Sequence, residues 1–363
     1  METVKGMHPM KTTLNLHIVA LLFVLPLISA CESPSPEPVE PRPAAQVLDS
    51  TSHDFVWDFD TVGCQLSTIN GIGAVSTTDI WVTGKFFEKD STGKTDPIPR
   101  GNVAHWNGNE WTYHGFNSSG LQSWYLMDDA FARSADNIWV CGGSPFRWDG
   151  VRWKTYRYDG FYFGSGIRAI WSTMDQQHVC AVGYKRSCVL YSAADDEFHW
   201  VDIPRDQHCY SVIGKEDGTM FVGAGNPDNG EGHVYRISPE GELSTYFRCP
   251  DGIVMNVWLV NDSLFVSSDK AILSLHDPSK DHLWEVLTTR KNIVKVVAEA
   301  PNNIVATTEG DYFLHFNGST WKEIPVAYPK SVSCYDVSVV GRDVYLVGHT
   351  PEQYCVIMHA RRL

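Results

Sequence analysis

The chain has 363 residues and carries 43 acidic against 29 basic side chains, a formal net charge of −14. An apolar content of 43% is that of an ordinary folded protein and excludes a disordered, collagenous or small disulfide-dense chain, while the acidic balance argues against nucleic acid and anionic lipid headgroups, whose phosphates it repels. Thirteen Trp, fifteen Tyr and sixteen Phe, punctuated by 29 Gly and 19 Pro, point to many short strands rather than long helices.

Residues 1–30 read as a signal peptide: Lys5 and Lys11 precede an apolar stretch from Ile18 to Ile28, then Ser29 and Ala30 stand ahead of Cys31. The stretch falls short of the roughly 20 residues that span a bilayer, and Pro26 interrupts it. The run Leu27-Ile28-Ser29-Ala30-Cys31 resembles the lipobox of bacterial lipoproteins. That resemblance implies that Cys31 becomes the acylated, palmitate-bearing N-terminus, a lipid anchor in the bacterial cell envelope. Glu32 in place of Asp after it implies the outer membrane, on its periplasmic or surface side. A plain secretory signal cut nearby, or an uncleaved anchor helix, is the alternative, and Met10 ahead of Lys11 offers a second start site. Residues 31–47 are a linker, because Pro34, Pro36, Pro38, Pro41 and Pro43 cannot pack into a core. Proline fixes an extended geometry of about 3.1 Å per residue, a spacer of about 40 Å.

From residue 48 to 363 the sequence repeats. The clearest copies are Asp79-Ile-Trp-Val-Thr-Gly84 and Asn137-Ile-Trp-Val-Cys-Gly142, with weaker ones near Cys180, Phe221, Phe265, Val305 and Tyr345. Measured from Trp81 through Trp139 to Tyr345, the separations are 58, 41, 41, 44, 40 and 40 residues, which makes seven units. A second marker follows near the end of successive units: Trp111, Trp153, Trp200, a degenerate position near Thr245, Trp284 and Trp321. The seventh unit ends without one, and an unclaimed Trp57 stands before the first. Each unit divides into four β runs. In the second these are Leu126–Arg133, Ile138–Cys141, Pro145–Trp148 and Arg152–Tyr156, with Asp149-Gly150 as the last turn, a place taken by Asn107-Gly108 and Asn317-Gly318 in units one and six.

These units resemble bacterial propeller repeats of the form Ile-Trp-Ala-Val-Gly, then Trp-Asp-Gly and a final Trp. The resemblance implies an all-β, seven-bladed β-propeller of four-stranded antiparallel blades, in which the N-terminal strand around Trp57 closes the last blade. Asp-box, tryptophan-aspartate and kelch patterns are missing.

Among chemistry-bearing residues, His105, His276, His315 and His359 fall at one repeat position, where Arg147, Tyr191 and Arg236 stand in other units. One side chain per blade cannot converge on one ion, and no close ligand spacing exists, so no metal is expected. Of the eight Cys beyond Cys31, Cys180 and Cys188 flank a hairpin turn and are the candidate disulfide; export would permit it. Inner strands of all blades converge on the central channel, so Asp128, Asp129, Arg168, Tyr210, Asn256, Lys295 and Asp336, with Tyr335, are the candidate funnel residues for binding a ligand. The loop Phe86–Arg100 and the aromatic segment Tyr156–Phe163 depart from the repeat and are candidate contact surfaces. With no phosphate-binding loop and no nucleophile elbow, neither cofactor nor catalytic residue is assigned. The expected function is a membrane-anchored binding platform for a protein or glycan, not for nucleic acid; a polysaccharide-acting hydrolase or lyase, with two funnel carboxylates as its acid and base, is the alternative.

Overall fold

A computed structural model describes residues 50–116, 126–156, 166–185, 187–249, 252–260, 262–268, 271–275, 284–288 and 292–363. Residues 1–30 that read as a signal peptide, Cys31, the proline-rich stretch after it and the aromatic segment after Tyr156 lie outside the described residues. Within them, 28 strands form seven sheets of four, antiparallel throughout. The innermost strands are Thr68–Ser76, Asp129–Ser134, Ile167–Ser172, His208–Gly214, Asn256–Val260, Ile293–Ala300 and Ser333–Val340, and we number the blades 1 to 7 in that order.

The two sequence markers have distinct places. Trp81, Trp139, Cys180, Phe221, Phe265, Val305 and Tyr345 all lie on second strands; Trp111, Trp153, Trp200, Thr245, Trp284, Trp321 and Trp57 all lie on outermost ones. The motif glycine has a steric cause. A Cβ on Gly84, Gly142, Gly183 or Gly348 would collide with the carbonyl oxygen of Thr68, Leu126, Gly166 or Ser333, at the start of the innermost strand or just ahead of it. Each such blade therefore needs a residue without a side chain there.

Burial is organised between blades rather than within them. Among the described residues there are seven apolar clusters, and each draws on two adjacent blades: Trp81 and Val103 of blade 1 with Met127, Ile138 and Phe146 of blade 2 are one. The wedge between blades 7 and 1, built from Tyr345, Val347 and Ile357 against Ile69, Ile72 and Val82, is of the same kind, so the ring closes on itself. Each Ile or Phe fully buried in such a wedge contributes roughly 1.5–3 kcal/mol.

Strand Phe55–Val62 pairs antiparallel with Cys355–Arg362, setting Trp57 opposite Ala360, and so supplies the outermost strand of blade 7. It removes an open sheet edge and ties the two ends of the chain together. Just before it, the N–H of Thr51 donates to the Asn317 carbonyl at 3.0 Å and the N–H of Leu363 donates to Asp54 O at 3.0 Å.

Three expectations are corrected. The residues opposite the second-strand markers are His105, Arg147, Leu190, Arg236, Ser274, His315 and His359, so Leu190 and Ser274 stand where Tyr191 and His276 were assigned; His276 lies outside the described residues. At two of these places the histidine is a stacking partner. His105 lies 3.8 Å from Trp81 and donates to Asp79, and His359 lies 4.6 Å from Tyr345 and donates to Asp343. The innermost strand of blade 2 begins at Asp129, not Leu126, because Leu126 belongs to the loop that enters it. Cys180 and Cys188 are not bridged: their sulfurs are 3.9 Å apart, against about 2.05 Å for a disulfide. Cys180 faces Leu190 and Cys188 faces Val182, so the two occupy a cross-strand diagonal rather than opposite positions.

Candidate functional site

A recurring irregularity positions the channel residues. The pairing of first and second strands slips by one residue between Ile69 and Gly71, Ile167 and Ala169, Cys209 and Ser211, Ile293 and Lys295, and Cys334 and Asp336. Each slip is a bulge, which leaves one residue unpaired and re-aims its neighbours. The residue before it is buried in the wedge, and in blades 3, 4, 6 and 7 the residue after it, Ala169, Ser211, Lys295 or Asp336, lines the channel. Register places Asp129 and Asn256 at the same level in blades 2 and 5. The sequence-predicted funnel residues thus separate into two tiers. Asp129, Asn256, Lys295 and Asp336 stand in the channel; Asp128, Arg168, Tyr210 and Tyr335 stand at its mouth.

All seven innermost strands line the channel cavity, whose volume is about 320 Å³. The Lys295 ammonium stands 3.5 Å from Asp129 Oδ1 and 3.7 Å from Asp336 Oδ1, joining blades 2, 6 and 7. The other carboxylate oxygens are engaged by the backbone of the next blade: the Ile170 N–H donates to Asp129 Oδ2 at 3.2 Å, and the Ile72 N–H donates to Asp336 Oδ2 at 2.9 Å. Asp336 Oδ1 also accepts the Val337 N–H at 2.9 Å. Asn256 Nδ2 donates to Ser267 Oγ and to the Val294 carbonyl. These side chains therefore stitch one blade's backbone to its neighbour's while neutralising one another.

Burial pushes the Asp336 carboxyl up to about 6; the Lys295 ammonium pulls it down and Asp129 raises it again. Burial acts to lower the Lys295 pKa, yet the carboxylates of Asp129 and Asp336 overcome it and hold the ammonium above its ordinary value. At the mouth, burial pushes Asp128 up to about 6 against the pull of the Arg168 guanidinium, with Asp129 adding to the rise.

Arg168, exposed at its bulge, lies over the ring of Tyr184 at 4.8 Å. Tyr184 in turn lies 5.3 Å from His208 and 6.3 Å from Tyr210. This cation and three aromatic rings form a half-exposed rim over blades 3 and 4. Tyr184 and His208 escaped the sequence reading, although Tyr184 directly follows the motif glycine Gly183, a signal that it opens a loop on this face. Tyr335, also exposed, lies across the mouth on blade 7, with its ring 5.1 Å from His349. Among the described residues no three His, Cys, Asp or Glu side chains gather as a metal site requires.

The sequence matches no protein-family model and no curated protein. Solved structures share the fold. YCF48 bound to a D1 peptide aligns with a TM-score of 0.62 at 11% identity, over 86% of this chain and 100% of that one. A catalytically inactive virginiamycin B lyase from Staphylococcus aureus, with quinupristin, aligns at 0.64 and 14%, over 84% and 99%. The extracellular domain of a one component system from B. thetaiotaomicron aligns at 0.58 and 12%, over 83% of this chain and 39% of that one. At these identities the likeness is one of fold.

Proposed function

We propose that the protein is an extracytoplasmic, lipid-anchored β-propeller that binds a protein or glycan at the mouth of its central channel. The observation that carries this reading is the division of labour between the two tiers. The channel charges are satisfied by one another and by backbone N–H groups, whereas the mouth exposes Arg168 with the half-exposed rings of Tyr184 and His208 beside it. Aromatic planes beside a guanidinium suit a sugar ring or a peptide side chain equally. The anchor reading stands on the lipobox-like run ending in Cys31 and on the proline-rich spacer behind it. Neighbours of the same fold include one bound to a peptide and one extracellular domain, which suits the reading.

Two measurements test it. Cells fed an alkyne palmitate analogue should label the parent protein and leave Cys31→Ser unlabelled; equal labelling of both refutes the anchor. Affinity electrophoresis through gels cast with a panel of purified polysaccharides, in parallel with peptide arrays, should retard the parent and release Arg168→Ala and Tyr184→Ala. Retardation insensitive to both substitutions refutes the rim as the binding surface.

One observation favours the second reading, a polysaccharide hydrolase or lyase: carboxyl groups pushed up to about 6 at Asp128 and Asp336 lie in the range of a general acid. Release of reducing or unsaturated ends from the same panel, abolished in Asp128→Asn, would decide for it.

A further inference from the structure

The turn that leads from the closing strand into blade 1 contradicts its own sequence. Cys64–Ser67 is a β-turn closed by the Ser67 N–H donating to the Cys64 carbonyl at 3.1 Å, and its third residue, Leu66, has φ +77°. That is the third position of a type II turn, where glycine or asparagine is expected because a side chain crowds the backbone. The other non-glycine residues at positive φ among those described are Gln176, Lys185, Asp196, Asp262 and Gln353, all polar. Leu66 is held there by its surroundings. Buried Ser67 accepts the Phe87 N–H at 2.9 Å and the Cys64 N–H at 3.2 Å through its Oγ, and the Cys64 N–H also reaches the Phe87 carbonyl at 2.8 Å. Burial does not compensate the strain, since Leu66 is 56% exposed. A strained residue fixed by its neighbours and turned to solvent points to a role outside the fold's own stability.

Leu66 belongs to a larger surface. Ile98, Leu126 and Tyr354 are exposed on loops of one face and Tyr335 at the start of the innermost strand of blade 7, and all of them sit on blades 7, 1 and 2. The arc is rigidly joined. Three residues after Leu66 the Ile69 N–H donates to His349 Nε2 at 3.1 Å, and His349 packs edge-on to Tyr335. Asn70 Nδ2 donates to the Met127 carbonyl at 2.8 Å, beside Leu126. Of the neighbouring charges, Arg100 pairs with Glu88 at 2.7 Å and Lys330 with Glu352 at 3.0 Å, while Lys89 and Lys94 are exposed on the loop that carries Ile98. These apolar side chains form a lip on an acidic molecule. A net charge of −14 opposes a second copy of this chain and an anionic bilayer alike, and favours a neutral or basic protein.

We propose that this lip over blades 7, 1 and 2, centred on Leu66, is a docking surface for an apolar segment of a protein partner with basic flanks. The proposal rests on the platform reading and gives it a partner class and a second contact surface, across the mouth from the Arg168 and Tyr184 rim. Exposed aromatic and aliphatic anchors on a rigid frame are what such a contact needs.

The test uses the full chain and a phage-displayed library of random dodecapeptides. Selected peptides should carry apolar residues beside Lys or Arg. Leu66→Gly and Tyr335→Ser should each weaken their binding by about tenfold or more, while Val151→Ser, on the opposite face, leaves it unchanged. Leu66→Gly should melt no lower than the parent, because glycine relieves the turn, so its loss of binding cannot be ascribed to unfolding. Failure to select any peptide, binding indifferent to Leu66→Gly, or a clear fall in its melting temperature each overturns the proposal. The Arg168 and Tyr184 measurements read the platform separately, so either can fail alone.

Discussion

Replacing Lys295 by Met tests the electrostatic account of the channel most directly. Methionine keeps the length and most of the volume of the side chain but removes the ammonium that stands 3.5 Å from Asp129 and 3.7 Å from Asp336. Two nearly buried carboxylates are then left without their cation. Removing one partner of a buried ion pair costs about 3–5 kcal/mol. The Lys295 side chain is 29% exposed to the channel, which places the expected loss at the lower end, about 3 kcal/mol near pH 8. The pH dependence carries the sharper signature. Asp336 is already raised by burial in the parent, and Lys295 is the group that pulls it down, so the variant must bind its proton more tightly still. A carboxyl raised in the folded state weakens the fold above that raised value and ceases to do so as the pH falls through it. Each further unit of displacement adds about 1.4 kcal/mol to the deficit at pH 8, and the deficit should narrow by that amount at pH 5. Urea unfolding followed by tryptophan fluorescence at the two pH values reads both effects. A variant as stable as the parent at pH 8, or a deficit identical at pH 5, would refute the coupling.

Other consequences are equally direct. Gly84→Ala forces a methyl group into the Thr68 carbonyl and should destabilise by about 3 kcal/mol, seen as a lowered unfolding midpoint; a neutral result would deny the steric origin of the motif glycine. Deleting residues 50–62 strips blade 7 of its outermost strand and exposes the edge at Cys355–Arg362, so the shortened chain should elute from size exclusion as aggregate rather than as a monomer. His315, buried and 3.0 Å from His53 Nδ1, is pushed down to about 3 by burial first and by His53 and Arg362 after it. Because the unfolded chain takes up this proton at about 6.5 and the folded one does not, stability should fall as the pH drops from about 6.5 towards 3, by about 1.4 kcal/mol per unit. His315→Gln should flatten that segment of the stability profile, and an unchanged slope would assign the acid sensitivity elsewhere.

Blade number, ring closure and the side of the chain from which the last strand comes are legible in the sequence, since they depend on counting markers. A missing Trp at one end and a spare one at the other, Trp57, suffice to deduce the pairing of Phe55–Val62 with Cys355–Arg362. That the candidate residues lie near the starts of the innermost strands was legible, because those starts follow from the repeat. Their division into two tiers was not. It depends on bulges at Asn70, Arg168, Tyr210, Val294 and Tyr335, which shift the register by one residue without leaving a compositional trace. The same blindness to a one-residue slip explains why the repeat spacing points to Tyr191 where Leu190 stands opposite Cys180.

The amino-acid order by itself determined a repeating architecture, since wedges filled by Trp, Phe and Ile and glycines beneath carbonyls recur at a fixed spacing that needs no knowledge of which blade meets which. Only the tertiary structure decided which charges meet. Asp129, Lys295 and Asp336 are far apart along the chain and become partners because a closed ring brings the innermost strands of blades 2, 6 and 7 to one axis. Pairing across that axis depends on side-chain direction and depth, and neither is encoded in the spacing of the repeat.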